Sequence, residues 1–282
     1  MSEKLADRTV RPRAYATILT HVERELASLH RTEVAVRLAR DFGARLIGLG
    51  AEALEVATAA YGGAVMPEWV VAMQEQISDN LERAEAAFRR DAVGADIEWR
   101  SVQDFPSRAL MRNARAADLL VVSAFAKGTS TYRTADPAEV AIGAGRPVLI
   151  MPKSDRHLVA QNMVVAWKDT REARRAVADA MPFLERAEQV LVLAVSQDEK
   201  AAIHQVEDVA DSMKRHGVRA RAEVVAGSDW DVTTALERAA DAIDADLIVA
   251  GAYGHNRLTE WVFGGVTDDL LRTPGRFVLT SH

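Results

Sequence analysis

The chain repeats itself, and the repeat constrains the fold more than any other feature. Residues Ala117-Asp-Leu-Leu-Val-Val-Ser-Ala-Phe-Ala126 align with Ala245-Asp-Leu-Ile-Val-Ala-Gly-Ala-Tyr-Gly254, with five of the ten positions identical. The apolar centre of each copy reads as a strand buried on both faces, as in a parallel sheet covered by helices. The copies lie far enough apart for each to occupy its own domain of about 100–150 residues. Internal self-similarity of this kind predicts two similar units in tandem.

Only the later copy runs into glycines. Gly251 and Gly254 close it, and Gly264-Gly-Val-Thr267 follows after nine further residues. Paired glycines after a strand let the backbone turn sharply and bring its N–H groups beside a ligand without Cβ interference. Gly264 and Gly265 precede Val266-Thr-Asp-Asp-Leu-Leu271, a helix start, and a helix N-terminus favours phosphate. Thr267 adds a hydroxyl there. A lone Gly-x-x-Gly is weak evidence, whereas strand, Gly-x-x-Gly, nine residues, Gly-Gly, helix, strand is much more specific.

The remaining pattern alternates strands and helices. In the second half, Met163–Trp167, Val190–Val195, Ala220–Val225, Asp246–Ala250 and Arg276–Leu279 read as strands. Between them lie one-faced helical stripes, among them Ala173, Ala176, Ala180, Met181 and Leu184. Asp169 and Glu172 are expected to open that helix as a capping pair, and Gly217 to stop the next. The first half supplies Thr17–Thr20, Arg45–Leu49, Ala95–Trp99, Asp118–Ser123 and Pro147–Met151. It also carries an extra segment over 51–69, with Tyr61–Met66 as a second ligand-cavity candidate, and a long helix with Val70, Met73, Ile77, Leu81, Ala84 and Phe88 on one stripe.

The fold expected is therefore α/β: two tandem doubly wound five-stranded parallel-sheet domains, Rossmann-like. Their bounds are 1–153 and 162–282, with a polar linker over 154–161. Ligands in such sheets sit at the carboxyl ends of strands where strand order reverses, which is where the 251–264 loop begins.

Composition excludes several function classes. A net charge of −6 argues against bulk nucleic-acid binding, and there is no run of about 18 uncharged apolar residues to span a membrane. With no cysteine, disulfides and thiolate chemistry are excluded, and the first residues lack a signal-peptide core, so a cytoplasmic location is expected. No Gly-Lys-Ser/Thr P-loop occurs, nor a Ser-Gly-Gly loop after the first strand of either half, so an enzyme is not expected.

Gly251, Gly254 and Gly264, with the text Gly254-His-Asn-Arg-Leu258, Gly264-Gly-Val-Thr267 and Val165-Ala-Trp-Lys-Asp-Thr-Arg-Glu-Ala173, resemble the universal stress protein family in its tandem two-domain form. The resemblance covers the C-terminal half and is weaker over the N-terminal half. It implies an adenine nucleotide alpha hydrolase-like fold and a stress-response regulator that binds ATP or a related adenine nucleotide, with little or no hydrolysis. Gly251, Gly254, Gly264, Gly265, Val266 and Thr267 would cradle phosphates and ribose, and Ala166 and Val195 would flank the base. Lys168, His255 and Arg257 are either phosphate contacts or solvated loop cations. Gly265 departs from the family's usual Ser or Thr, and Lys168 from its usual acid. Mg²⁺ stays open, because Asp268 and Asp269 suit a helix dipole better than a metal.

In the first half, Ser123, Ala126, Gly143 and Gly145 do not carry the motif, so that half is expected to act mainly as a pseudo-twofold partner. The family's last strands often pair at a dimer axis. Pro147–Met151 and Arg276–Leu279 are the candidates here, forming an intra-chain pseudo-dimer, and a further homodimer and a regulatory protein partner stay open. The competing reading is a nucleotide-independent interaction module with a relict glycine loop.

Overall fold

In the computed structural model, residues 14–23, 26–55, 67–125, 128–154, 156–228, 232–252, 270–272 and 274–282 are described. The first half runs β1 (Thr17–His21), α1 (Leu26–Phe42), β2 (Arg45–Ala51), α2 (Pro67–Asp91), β3 (Ile97–Val102), α3 (Pro106–Asn113), β4 (Leu119–Ser123), α4 (Pro137–Gly143) and β5 (Val148–Met151). The second runs β6 (Asn162–Ala166), α5 (Arg171–Leu184), β7 (Gln189–Ser196), α6 (Glu199–Arg215), β8 (Ala220–Ala226), α7 (Val232–Ala242), β9 (Leu247–Gly251) and β10 (Phe277–Ser281).

Both halves use the same strand order, and together they make one sheet rather than two. Ten strands lie in the order β3-β2-β1-β4-β5-β10-β9-β6-β7-β8. Within each half all pairing is parallel, and the halves join where β5 and β10 run antiparallel, with Leu149 opposite Leu279. Pairing the last strands removes two edges that would otherwise be exposed. The true outer edges, β3 and β8, carry charge: Arg100 pairs with Glu98 at 2.7 Å and Arg221 with Glu223 at 3.4 Å.

The apolar runs follow from this burial. Val148–Met151 and Phe277–Ser281 are buried at every position, because helices cover both faces. On one face the core unites side chains of α1, α2, α5 and α6, and on the other those of α3, α4 and α7. Each core runs unbroken across the seam. Tyr15, Phe42 and Phe183 stack edge-on there, with centroids 5.0 and 5.2 Å apart along the chain of rings. The Tyr15 hydroxyl donates to the Asp179 carbonyl at 2.7 Å. The tandem halves thus form the pseudo-dimer within one chain.

Several local expectations shift. The α2 stripe does pack inward, with Ile77, Ala84 and Phe88 buried. Strand β3 begins at Ile97 rather than Ala95. Helix α5 is capped by Thr170, whose hydroxyl accepts from the Ala173 amide at 3.2 Å, and not by Asp169, which pairs with Arg174. A β-branched hydroxyl one residue closer to the helix makes the shorter reach. Gly217 ends α6 with φ +83°, as a left-handed stop requires. The linker region is not a free tether: Leu158 and Ala160 are buried, and the Val159 and Ala160 amides donate to the Asp246 carboxylate.

Candidate functional site

The strand order reverses between β1 and β4 in the first half and between β6 and β9 in the second, so each half offers one crevice at the carboxyl ends of those strands. The pairing register aligns the two. Ile18 lies opposite Leu119, and Met163 opposite Leu247, the same position of the repeat. His21 therefore corresponds to Ala166, Glu23 to Lys168, and Ser123 to Gly251. Helices α1 and α5 begin at the same distance beyond their strands, which sets Arg31 against Ala176.

In the second half the crevice is walled by small residues. Ala166, the last residue of β6, lies opposite Ala250 on one side and Leu193 on the other, with Gly251 one residue and Val195 two residues beyond those partners. Lys168 is exposed in the loop that follows β6. Gly251 has a reason of its own to lack a side chain. A Cβ there would lie 2.5 Å from the Ala173 amide nitrogen and 2.6 Å from the Glu172 carbonyl carbon, because the first turn of α5 rests on it. The N-terminus of α5 is thereby held against the end of β9.

Two further side chains lie beside this contact. Glu172 is buried beside this contact, paired with Arg171 at 2.8 Å. Burial pushes its carboxyl up, but its own backbone amide and Arg171 outweigh that and hold it below the usual range. His282, past the end of β10, meets the Ala252 carbonyl through Nδ1 at 3.0 Å. Of the predicted site residues, Ala166 and Gly251 end β6 and β9, Val195 lies near the end of β7, and Lys168 lies in the loop after β6. Gly254, His255, Arg257, Gly264, Gly265, Val266 and Thr267 lie outside the described residues, as do Tyr61–Met66 and Ala126.

In the first half the corresponding space holds a charged cluster. The buried Arg31 guanidinium donates to the His21 carbonyl at 2.8 Å, to the Ser123 hydroxyl at 2.8 Å and to the Glu23 carboxylate at 3.1 Å. Glu23 also accepts from the Thr134 hydroxyl at 2.9 Å. Burial pushes the Glu23 carboxyl up, but Arg31 above all, with the Thr134 hydroxyl, outweighs that and holds it below the ordinary range. Burial likewise keeps His21 neutral by lowering its basicity. An arginine occupies the position that alanine holds in the other half.

By sequence, residues 160–274 match the universal stress protein family. The C-terminal half belongs to the universal stress protein family. No curated protein matches the chain. Among solved structures, a universal stress protein from Archaeoglobus fulgidus DSM 4304 is 14% identical with a TM-score of 0.66, covering 93% of this chain and 94% of its own. A Pseudomonas aeruginosa UCBPP-PA14 protein named for the same family is 17% identical at a TM-score of 0.58, covering 94% of this chain and 92% of its own. These likenesses extend the universal stress protein fold across both halves. A universal stress protein in complex with cAMP is 28% identical at a TM-score of 0.33, covering 50% of this chain and 100% of its own. Among the described residues, no helix is long and apolar enough to cross a membrane.

Proposed function

We propose that this chain is a stress-response regulatory protein that binds ATP, or a related adenine nucleotide, in its C-terminal half. The observation that carries this reading is the contrast between the two switch points. Arg31, His21 and Ser123 fill one, whereas Ala176, Ala166 and Gly251 leave the matching positions of the other small. The base would rest against the ends of β6 and β7 at Ala166 and Val195. The phosphates would lie toward the glycines after β9 and the loop cation Lys168, since backbone amides at glycines and a helix N-terminus would favour negative charge there. Hydrolysis is little or none in this reading, since the chain has no Gly-Lys-Ser/Thr P-loop to hold a metal-bound phosphate. Nucleotide would act by shifting shape or partner affinity, in a soluble, cytoplasmic protein.

Equilibrium dialysis against labelled ATP tests this, with Gly254→Val as the control that blocks the loop. Retention by the wild type and loss in the variant is expected; equal retention, or none in either, would overturn the reading.

One observation favours the second reading, a nucleotide-independent module with a relict loop. Gly251 is required by the packing of α5 alone, so that glycine would persist without a ligand. In that case Gly254→Val would leave stability and partner binding unchanged.

A further inference from the structure

Beside the Arg31 cluster lies a cavity of about 230 Å³, at the carboxyl ends of β1 and β2 under α2. Its walls include the carboxylates of Glu23 and Glu52, the Asn80 amide, the aliphatic Val22 and Leu81, and the Arg133 side chain. Both carboxylates are largely withdrawn from water, with side chains 9% and 12% exposed. The two cations near them differ in how firmly they are held. Arg31 is 1% exposed and committed to three acceptors. Arg133 is half exposed and reaches Glu52 through its Nε at 3.1 Å.

We infer that this cavity is a binding site for a small organic cation, an alkyl amine or alkyl guanidinium, and that Arg133 stands in for it. Three features converge. The charged groups facing the cavity are two buried carboxylates, and the arginine over Glu52 is the one whose head group already meets solvent. Glu52 also accepts from the Asn80 amide at 3.1 Å, so its carboxylate is fixed for a second donor. A guanidinium on a carboxylate makes a directional, charge-assisted contact that an incoming head group of the same kind can reproduce. The methylene stem would lie against Leu81, which is only partly buried.

Arg133 can leave without unravelling its segment, because the preceding residue is anchored by the Ala53 amide donating to the Tyr132 carbonyl at 2.8 Å. The site stands apart from the nucleotide reading and needs nothing from the second half.

Calorimetric titration of the full chain with agmatine tests the inference, with propionate as the anionic control. The wild type should bind agmatine saturably and propionate not at all. Arg133→Ala, which removes the competitor from an exposed position, should bind about tenfold tighter, and Glu52→Gln about tenfold weaker or worse. A flat response of Arg133→Ala at about 10 mM agmatine would overturn the proposal, as would Glu52→Gln binding as tightly as wild type. Because Arg133→Ala changes only a half-exposed side chain, its result is decisive even where Glu52→Gln folds poorly.

Discussion

Arg31 donates to the Ser123 hydroxyl at 2.8 Å, tying α1 to the end of β4 across the point where strand order reverses in the first half. No such tie can form in the second half, where the same positions are Ala176 and Gly251. Replacing Arg31 by methionine strands the Glu23 carboxylate in a buried site. A loss of about 3 kcal/mol is expected by urea unfolding, because an unpaired buried charge costs more than the pair contributes. The double variant Arg31→Met/Glu23→Gln should recover most of it. Additive losses in the double variant would show that the two groups are not coupled.

Acid should loosen the protein through the same cluster. His21 in the fold resists protonation because burial lowers its pKa below the ordinary 6.5. Above that pH both folded and unfolded chains hold it neutral. Below it the unfolded chain gains a proton that the fold refuses, so stability falls with pH, at up to about 1.4 kcal/mol per pH unit. Glu23, also held low, adds a loss of the same sign at more acidic pH, as its carboxylate is protonated. Stability curves from pH 7 to 5 should flatten in His21→Gln. An unchanged slope in that variant would assign the acid sensitivity elsewhere.

Gly251→Ala probes the contact between β9 and α5. The added methyl would lie 2.5 Å from a backbone nitrogen, so helix and strand must part. About 3 kcal/mol of destabilisation is expected by denaturant titration. A change within 0.5 kcal/mol, in the range of ordinary surface substitutions, would mean the helix end shifts freely.

The seam between the halves can be dissected at Tyr15. Tyr15→Phe removes only the hydroxyl that donates to Asp179, at a cost of about 1 kcal/mol. Tyr15→Ala also empties the ring position between Phe42 and Phe183 and should cost about 3–5 kcal/mol. Both should melt in a single transition, since each core crosses the seam. A separate early transition for one half would contradict a shared core.

Much of this architecture was readable because the repeat encodes it. The identical Asp118 and Asp246 each accept amides of the segment entering the first strand of their half: Ala16 and Thr17 for one, Val159 and Ala160 for the other. Buried strands such as Val148–Met151 announced themselves as apolar runs. The cap of α5 is not legible in the sequence, because Asp169, Thr170 and Glu172 all suit a helix start and only geometry shows which oxygen meets the amide. Arg31 is not marked by the sequence alone, because a charged residue within an amphipathic helix looks solvated until its partners, distant in sequence, close around it. The one signal for it is the alignment of the copies outward from the strands, which sets it on an alanine.

The central claim is that one half of a duplicated fold keeps a nucleotide crevice, while in the other the Arg31 cluster takes the matching positions at the switch point. Isothermal titration of the intact chain with ATP measures this most directly. One nucleotide bound per chain is the predicted result. Two per chain, or no heat at high micromolar ATP from a folded sample, would contradict it.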